Sequence, residues 1–446
     1  MREAPAPHES PFALPRGREP ILLHDGDLEI RYPDRAVGGR GRIELVLLPT
    51  PRFGFFLENV PVSPDAGSAD ELAVPGLPGS LEAVVGNSRF GLSGFMSGST
   101  EGSAGDSDSP SIAEVRFLVA NLPFFVGESL HGTRSLPEGG KRDAYWRGRL
   151  TLRAADWLID LDLRVDHEAR YARLKEQGGF EITHVGVLRR DKGTLFSGRD
   201  AEETLDALGE FLGLACGAWA PPIAGVGLDE DGKLIWLELK RRWTSPWRSL
   251  LRAFDLHKHE LSVAFACYLA RRNDPTWKEP LRVATQIYVE ANGPITADTS
   301  LVLAQTVLEL ISWVRFVDEL RTRQAKDFDG LMASERLREL LAWLEVDPTI
   351  PPQQTALAST AASEDWNDGP HAIGAMRNAL IHPRQRERLL RTPTMARIEL
   401  QELALWYVEL GLLRLIDFNG FYLNRLGEKV TGIVEAVPWR HATCER

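Results

Sequence analysis

The feature that most constrains this chain is a change in its hydrophobic period. Along Tyr145–Arg153, Trp146, Gly148, Leu150 and Leu152 fall on one face, with charged residues between them. After a turn at Ala154–Asp156, Trp157, Ile159, Leu161, Leu163 and Val165 alternate with Leu158, Asp160, Asp162, Arg164 and Asp166. A period of two is the signature of strands with two unlike faces. Past the aromatic, proline-containing stretch Trp243–Trp247, the apolar residues recur every three or four positions, as at Leu301, Ala304, Leu308 and Ile311. The expected fold class is therefore α+β: an antiparallel β-rich N-terminal domain, a sandwich or strongly curved sheet, followed by an all-α helical bundle. The expected divisions are a flexible proline-rich arm at 1–20, a β-rich domain with one helix and a hairpin at 21–245, and the bundle at 246–446.

Finer expectations follow from turn residues. A Gly/Asp turn at Asp25–Asp27 should separate two short strands. The stretches Ser63–Ser80 and Ser97–Pro110, rich in Gly and Ser, read as loops, and Phe90–Phe95 reads as a strand. Arg199–Gly217 should be the one helix of the β-rich domain, followed by strands flanking the turn Asp229–Gly232. In the second half, helices are expected at Ser249–Arg272, Trp277–Ala291, Thr299–Leu320, Ser334–Glu345 (capped by Ser334) and Thr394–Asn419, with a loop leading to a further helix that starts at Asp368. Asp160, Asp162 and Asp166 share a strand face that reads as solvated rather than metal-binding.

Composition narrows the function. A net charge of −11 excludes a general nucleic-acid coat, so any contact with RNA must be local. Cys216, Cys267 and Cys444 are far apart and lack metal-ligand spacing, which points to a reducing cytosol and no structural zinc. The first twenty residues have no apolar segment of the kind a signal peptide needs, and the most apolar helix carries Gln305, Glu309 and Arg315. A cytoplasmic protein without a membrane span is expected.

Against the acidic background, one stretch stands out: Met376-Arg-Asn-Ala-Leu-Ile-His-Pro383. Asp368 and Pro370 should start a helix, and Pro383 should end it near His382. Ile373, Met376 and Leu380 form the apolar stripe. Arg377 lies within about 40° of that stripe, so its guanidinium should be half-buried and in need of a partner or an anionic ligand. Glu309 is one candidate partner. Asn378 and His382 share the outer face, near His371. An imidazole that titrates near neutrality and a guanidinium that grips phosphate suit RNA cleavage by the neighbouring 2′-hydroxyl, with no metal and no other cofactor. Arg384, Arg386, Arg388 and Arg391, with Arg397 beyond, form a basic run able to hold an RNA backbone.

The pattern Arg-Asn-x3-His near a helix end, in an all-helical C-terminal half, resembles the HEPN superfamily of ribonucleases over roughly residues 246–435. The matching residues are Arg377, Asn378 and His382. With the β-rich front half, the architecture also resembles the ApeA-like group of anti-phage abortive-infection proteins. The resemblance implies that Arg377 and His382 are the catalytic pair, and that sites are built by two subunits face to face. It further implies that the target is tRNA or other host RNA, and that a phage-derived trigger acts at the β-rich domain. Geometry also favours a homodimer or larger assembly, because Arg377 and His382 are about 140° apart on one helix.

Two other readings remain. Asp229 or Asp231 with Glu238-Leu239-Lys240 resembles the signature of metal-dependent nucleases, which EDTA would silence. Alternatively, the bundle is a non-catalytic HEPN-like interaction module, with Arg377 serving stability.

Overall fold

The computed structural model describes residues 4–33, 35–58, 69–89, 94–135, 140–248, 258–382, 384, 386–427 and 433–440. The chain divides into two compact units, Met1–Gly209 with Trp219–Ser249, and Glu210–Ala218 with Leu250–Arg446. The α+β class is as expected, with strands dominating the first unit and helices the second.

The first unit begins with β1 (Ile21–Arg31), β2 (Ala36–Val46), β3 (Arg52–Glu58), β4 (Ala69–Ala73), β5 (Leu81–Arg89) and β6 (Phe95–Glu101), which close into an antiparallel barrel in the order β1-β2-β3-β6-β5-β4. Closure leaves no free strand edge. The alternation is visible strand by strand: Phe53, Phe55 and Leu57 of β3 point inward while Arg52 and Glu58 are exposed. β7 (Ser103–Gly105), β8 (Glu114–Ala120), β9 (Glu128–Ser135), β10 (Lys141–Ala154), β11 (Trp157–Leu163), α1 (His167–Gln177), β12 (Ile182–Arg190), α2 (Gly198–Cys216, of which the residues from Glu210 on count with the second unit), β13 (Pro222–Leu228) and β14 (Leu234–Glu238) follow. Their strands make an eight-stranded sheet in the order β7-β14-β13-β8-β12-β11-β10-β9. One apolar cluster runs from the barrel interior (Ile30, Leu45, Phe55) to Leu118, Phe180, Ile223 and Leu237 of the sheet side.

Several local expectations change. The Asp25–Asp27 turn is instead the middle of β1, which continues past a bulge between Leu22 and His24. The expected loops at 63–80 and 97–110 contain β4, β6 and β7. Small residues there are a packing requirement. A Cβ on Gly98 would lie 2.0 Å from the Val84 carbonyl oxygen, so glycine lets β5 and β6 close. Residues 90–93 of the expected Phe90–Phe95 strand lie outside the described residues. α1 is a second helix, and Arg170, on it, is buried against the fully buried Glu181 (2.7 Å). The face carrying Asp160 and Asp162 is buried rather than solvated. Arg149 grips Asp162 at 2.6 Å, Arg189 reaches Asp160 at 2.7 Å, and the His8 amide donates to Asp162. His8 belongs to the arm expected to be mobile. Arg18 of the same arm donates to Glu181, and Pro5 accepts from the His131 amide, so polar side chains and backbone tie it to the sheet. No group of three potential metal ligands converges among the described residues.

The second unit contains α3 (Lys258–Arg272), α4 (Lys278–Ala291), α5 (Ala297–Trp313) continued by a wider turn at Val314–Glu319, α6 (Ala325–Gly330), α7 (Ala333–Trp343), α8 (Thr355–Ser363), α9 (Gly369–Ile381), α10 (Arg386–Arg391) and α11 (Thr394–Leu415), then β15 (Phe421–Tyr422) paired with β16 (Glu435–Ala436). α8 occupies the expected loop, because Leu357, Thr360 and Ala361 form a buried helical stripe. The expected start of α3 at Ser249 lies outside the described residues. Met332, not Ser334, precedes α7, and Glu335 accepts a hydrogen bond from its amide. α11 ends four residues early at Leu415, before Asp417 at a φ of 56°. Ala297–Glu319 is, among the described residues, the one helix long and apolar enough to cross a membrane by length and composition, and half of its apolar window is buried within the protein.

Candidate functional site

α9 carries the Arg-Asn-x3-His stretch. Its start is as expected: Asp368 accepts a hydrogen bond from the His371 amide at 2.8 Å, and Pro370 occupies the first turn. Arg338, from α7, grips the Asp368 carboxylate at 2.6 Å and fixes the cap to the neighbouring helix. Ala372, Ile373, Met376 and Ala379 are buried, and α9 packs against α5, α7, α10 and α11. The helix ends at Ile381, and His382 is its extended C-cap, with its amide donating to the Asn378 carbonyl. Pro383 lies outside the described residues.

Arg377 is half-buried, as its place beside the apolar stripe requires. Its guanidinium makes no ion pair among the described residues and meets only the Asn378 side-chain oxygen, at 3.4 Å. The expected pairing with Glu309 does not form: Glu309 accepts from Gln305 one turn back at 2.8 Å. Pro370, Ile373 and Gly374 line a narrow crevice with Glu309 and Arg336, and Arg377 continues that stripe by one turn. His382 is exposed. His371 is half-buried, and its Nδ1 accepts from the Asn367 amide. Arg377, Asn378 and His382 thus occupy one helix end, with Arg377 angled toward the seam and His382 toward solvent.

The basic run is partly neutralised. Arg388 and Arg391 share Glu364 at 3.2 and 3.4 Å, and Arg397 pairs with Asp298 at 2.6 Å. Arg384 is exposed and makes no ion pair among the described residues, and the Arg386 side chain lies outside them. One feature of the surface was not read from the sequence: Ile381, Leu390, Met395 and Ile398 are all exposed, with Leu390 at 81%. The signal was present as apolar residues set among the arginines of 381–398.

The acidic strand motif is arranged differently from a metal site. Glu238 is fully buried. Burial, the largest influence, pushes its carboxyl above the usual range, and the Arg242 guanidinium opposes this. Lys240 is held by Glu202 at 2.7 Å and Asp206 at 2.8 Å. Gly225 pairs with Glu238, so Asp229 is four residues, about 13 Å, farther along the hairpin.

Comparisons find two domain models and a bacterial protein similar to this chain. Residues 107–250 match the model of the YopA central domain, and residues 274–435 match that of the YopA C-terminal domain, which contains Arg377, Asn378 and His382. No solved structure matches the chain. Over 97% of its length it is 26% identical to the SPbeta prophage-derived uncharacterized protein YopA of Bacillus subtilis (strain 168), spanning 98% of that protein.

Proposed function

We propose that this protein is a metal-independent endoribonuclease of the HEPN type. In this reading it acts in the cytoplasm as a homodimer, with the β-rich unit as sensor. The observation that carries the proposal is the Arg377 guanidinium: half-buried, without a carboxylate among the described residues, five residues before an exposed histidine. A partly desolvated cation without a partner is costly to keep, and a phosphate would supply what it lacks. In the reaction, the 2′-oxygen of the ribose bonds to phosphorus while the bond to the 5′-oxygen breaks. His382 takes the 2′ proton or returns one to the leaving oxygen. Arg377 stabilises charge on the non-bridging oxygens, and Asn378 orients the guanidinium. The products carry a 2′,3′-cyclic phosphate and a 5′-hydroxyl.

Dimerisation supplies the second half of the site. Ile381, Leu390, Met395 and Ile398 are exposed apolar side chains beside the motif, the kind of surface a second copy covers. Arg384 at the rim is left for backbone phosphates. The prophage origin of the Bacillus relative fits an anti-phage role with tRNA or other host RNA as target and a phage product as trigger.

The test incubates wild type and His382→Ala with total RNA, with and without EDTA, and with and without lysate from phage-infected cells. Cleavage that survives EDTA, disappears in His382→Ala and leaves cyclic phosphate ends is expected. Cleavage abolished by EDTA but kept by His382→Ala would favour the acidic-strand nuclease instead. No cleavage under any condition would leave the bundle an interaction module.

A further inference from the structure

We propose that the N-terminal unit binds a nucleoside phosphate in a groove on the outer wall of its barrel. Two adjoining cavities, of about 280 and 180 Å³, share Arg241. Together they fall within the size of ordinary small-ligand clefts, roughly 300–1,000 Å³.

The floor is set by strand register. β5 and β6 place Glu82 opposite Glu101 and Val84 opposite Ser99, and β3 and β6 place Gly54 opposite Ser99. Arg52, Glu82, Val84, Ser99 and Glu101 all point outward, so Arg52 and two carboxylates line one cavity. The wall is the segment after β14. Arg242 turns inward and is consumed by Asp206 at 2.9 Å and Glu238 at 2.7 Å. Its neighbour Arg241 turns outward and makes no ion pair among the described residues.

Four observations select the ligand. Arg52 and Arg241 are cations without a carboxylate partner among the described residues; Arg52 donates only to the Leu48 carbonyl. They can hold a phosphate. Trp243, 59% exposed, lines the second cavity and offers a flat face for a base to stack on. Glu82 and Glu101 face each other directly, a repulsive pair that an amino or hydroxyl donor on the ligand would relieve. The Thr244 hydroxyl, on a 4% exposed residue lining the second cavity, has no hydrogen-bond partner among the described residues. Phosphate, ring and donor groups occur together in a nucleotide. Neither inorganic phosphate nor a free base would use all four features.

The proposal is independent of RNA cleavage, and its test uses none. The full-length chain is titrated calorimetrically with AMP, adenosine and inorganic phosphate. A ligand of AMP's size at ordinary efficiency per heavy atom binds at roughly 10 µM. The expected result is AMP binding near that value, with adenosine and phosphate each at least tenfold weaker. Arg241→Ala and Trp243→Ala should each weaken AMP at least tenfold at unchanged melting temperature, Trp243→Phe should restore most of the affinity, and Arg377→Ala should bind AMP like wild type. The proposal is overturned if wild type shows no AMP binding up to about 1 mM. It is equally overturned if Arg241→Ala and Trp243→Ala bind AMP unchanged, or if Arg377→Ala abolishes binding.

Discussion

Two arginines of the second unit allow a direct test of why Arg377 is there. Arg425 is almost fully buried and well partnered: it donates to Glu409 at 2.5 Å, to Asn292 at 2.6 Å and to Glu402 at 3.2 Å. Glu409 also accepts from the Tyr288 hydroxyl at 2.8 Å, so this network pins the segment after α11 to α4 and α11. Arg425→Met leaves the Glu409 carboxylate buried without its cation, which costs about 3–5 kcal/mol. Arg377→Met removes one long hydrogen bond, worth at most about 0.5 kcal/mol, and also removes a partly desolvated charge. Its expected effect lies between a loss of about 0.5 and a gain of about 1 kcal/mol. Both variants are measured by urea unfolding, following the far-ultraviolet circular dichroism of the helical unit. RNA cleavage should be lost in Arg377→Met regardless of stability. A loss of more than about 2 kcal/mol in Arg377→Met would show that the side chain is structural, and the catalytic reading would fail with it.

Other outcomes follow from single sites. Leu390→Arg should convert a dimer to a monomer by light scattering and abolish cleavage with the Arg377 and His382 side chains intact. His184 is fully buried, and burial pushes its imidazole down to about 3. The unfolded chain takes up that proton below a pH of about 6.5 and the folded chain does not, so stability present above 6.5 falls as pH drops toward 3. Between pH 7.5 and 5.5 this contributes a loss of about 1.4 kcal/mol, and His184→Leu should flatten the slope in paired unfolding curves. Gly186→Ala should destabilise the first unit by about 1–3 kcal/mol, because the added Cβ would lie 2.1 Å from the Phe117 ring. Met332→Ser gives α7 a side-chain cap it lacks and should raise stability by about 1 kcal/mol.

The sequence alone determined what periodicity and local chemistry can write. The strand alternation around Trp157, the helical stripe of α5, and the start of α9 at Asp368 with its end near His382 each depend on residues within a few positions of one another. The half-burial of Arg377 was also readable, since it follows from its angle to Ile373 and Met376. Tertiary structure decided the rest, because it depends on what arrives from far along the chain. Asp160 and Asp162 look solvent-facing in sequence, but Arg149, Arg189 and the distant His8 make their burial possible. The Gly98 segment looks like a loop until β5 and β6 close across it. Likewise, only the fold set Arg241 beside Arg52 and left Arg377 without a carboxylate among the described residues, since a partner's presence or absence is a property of packing and not of spacing.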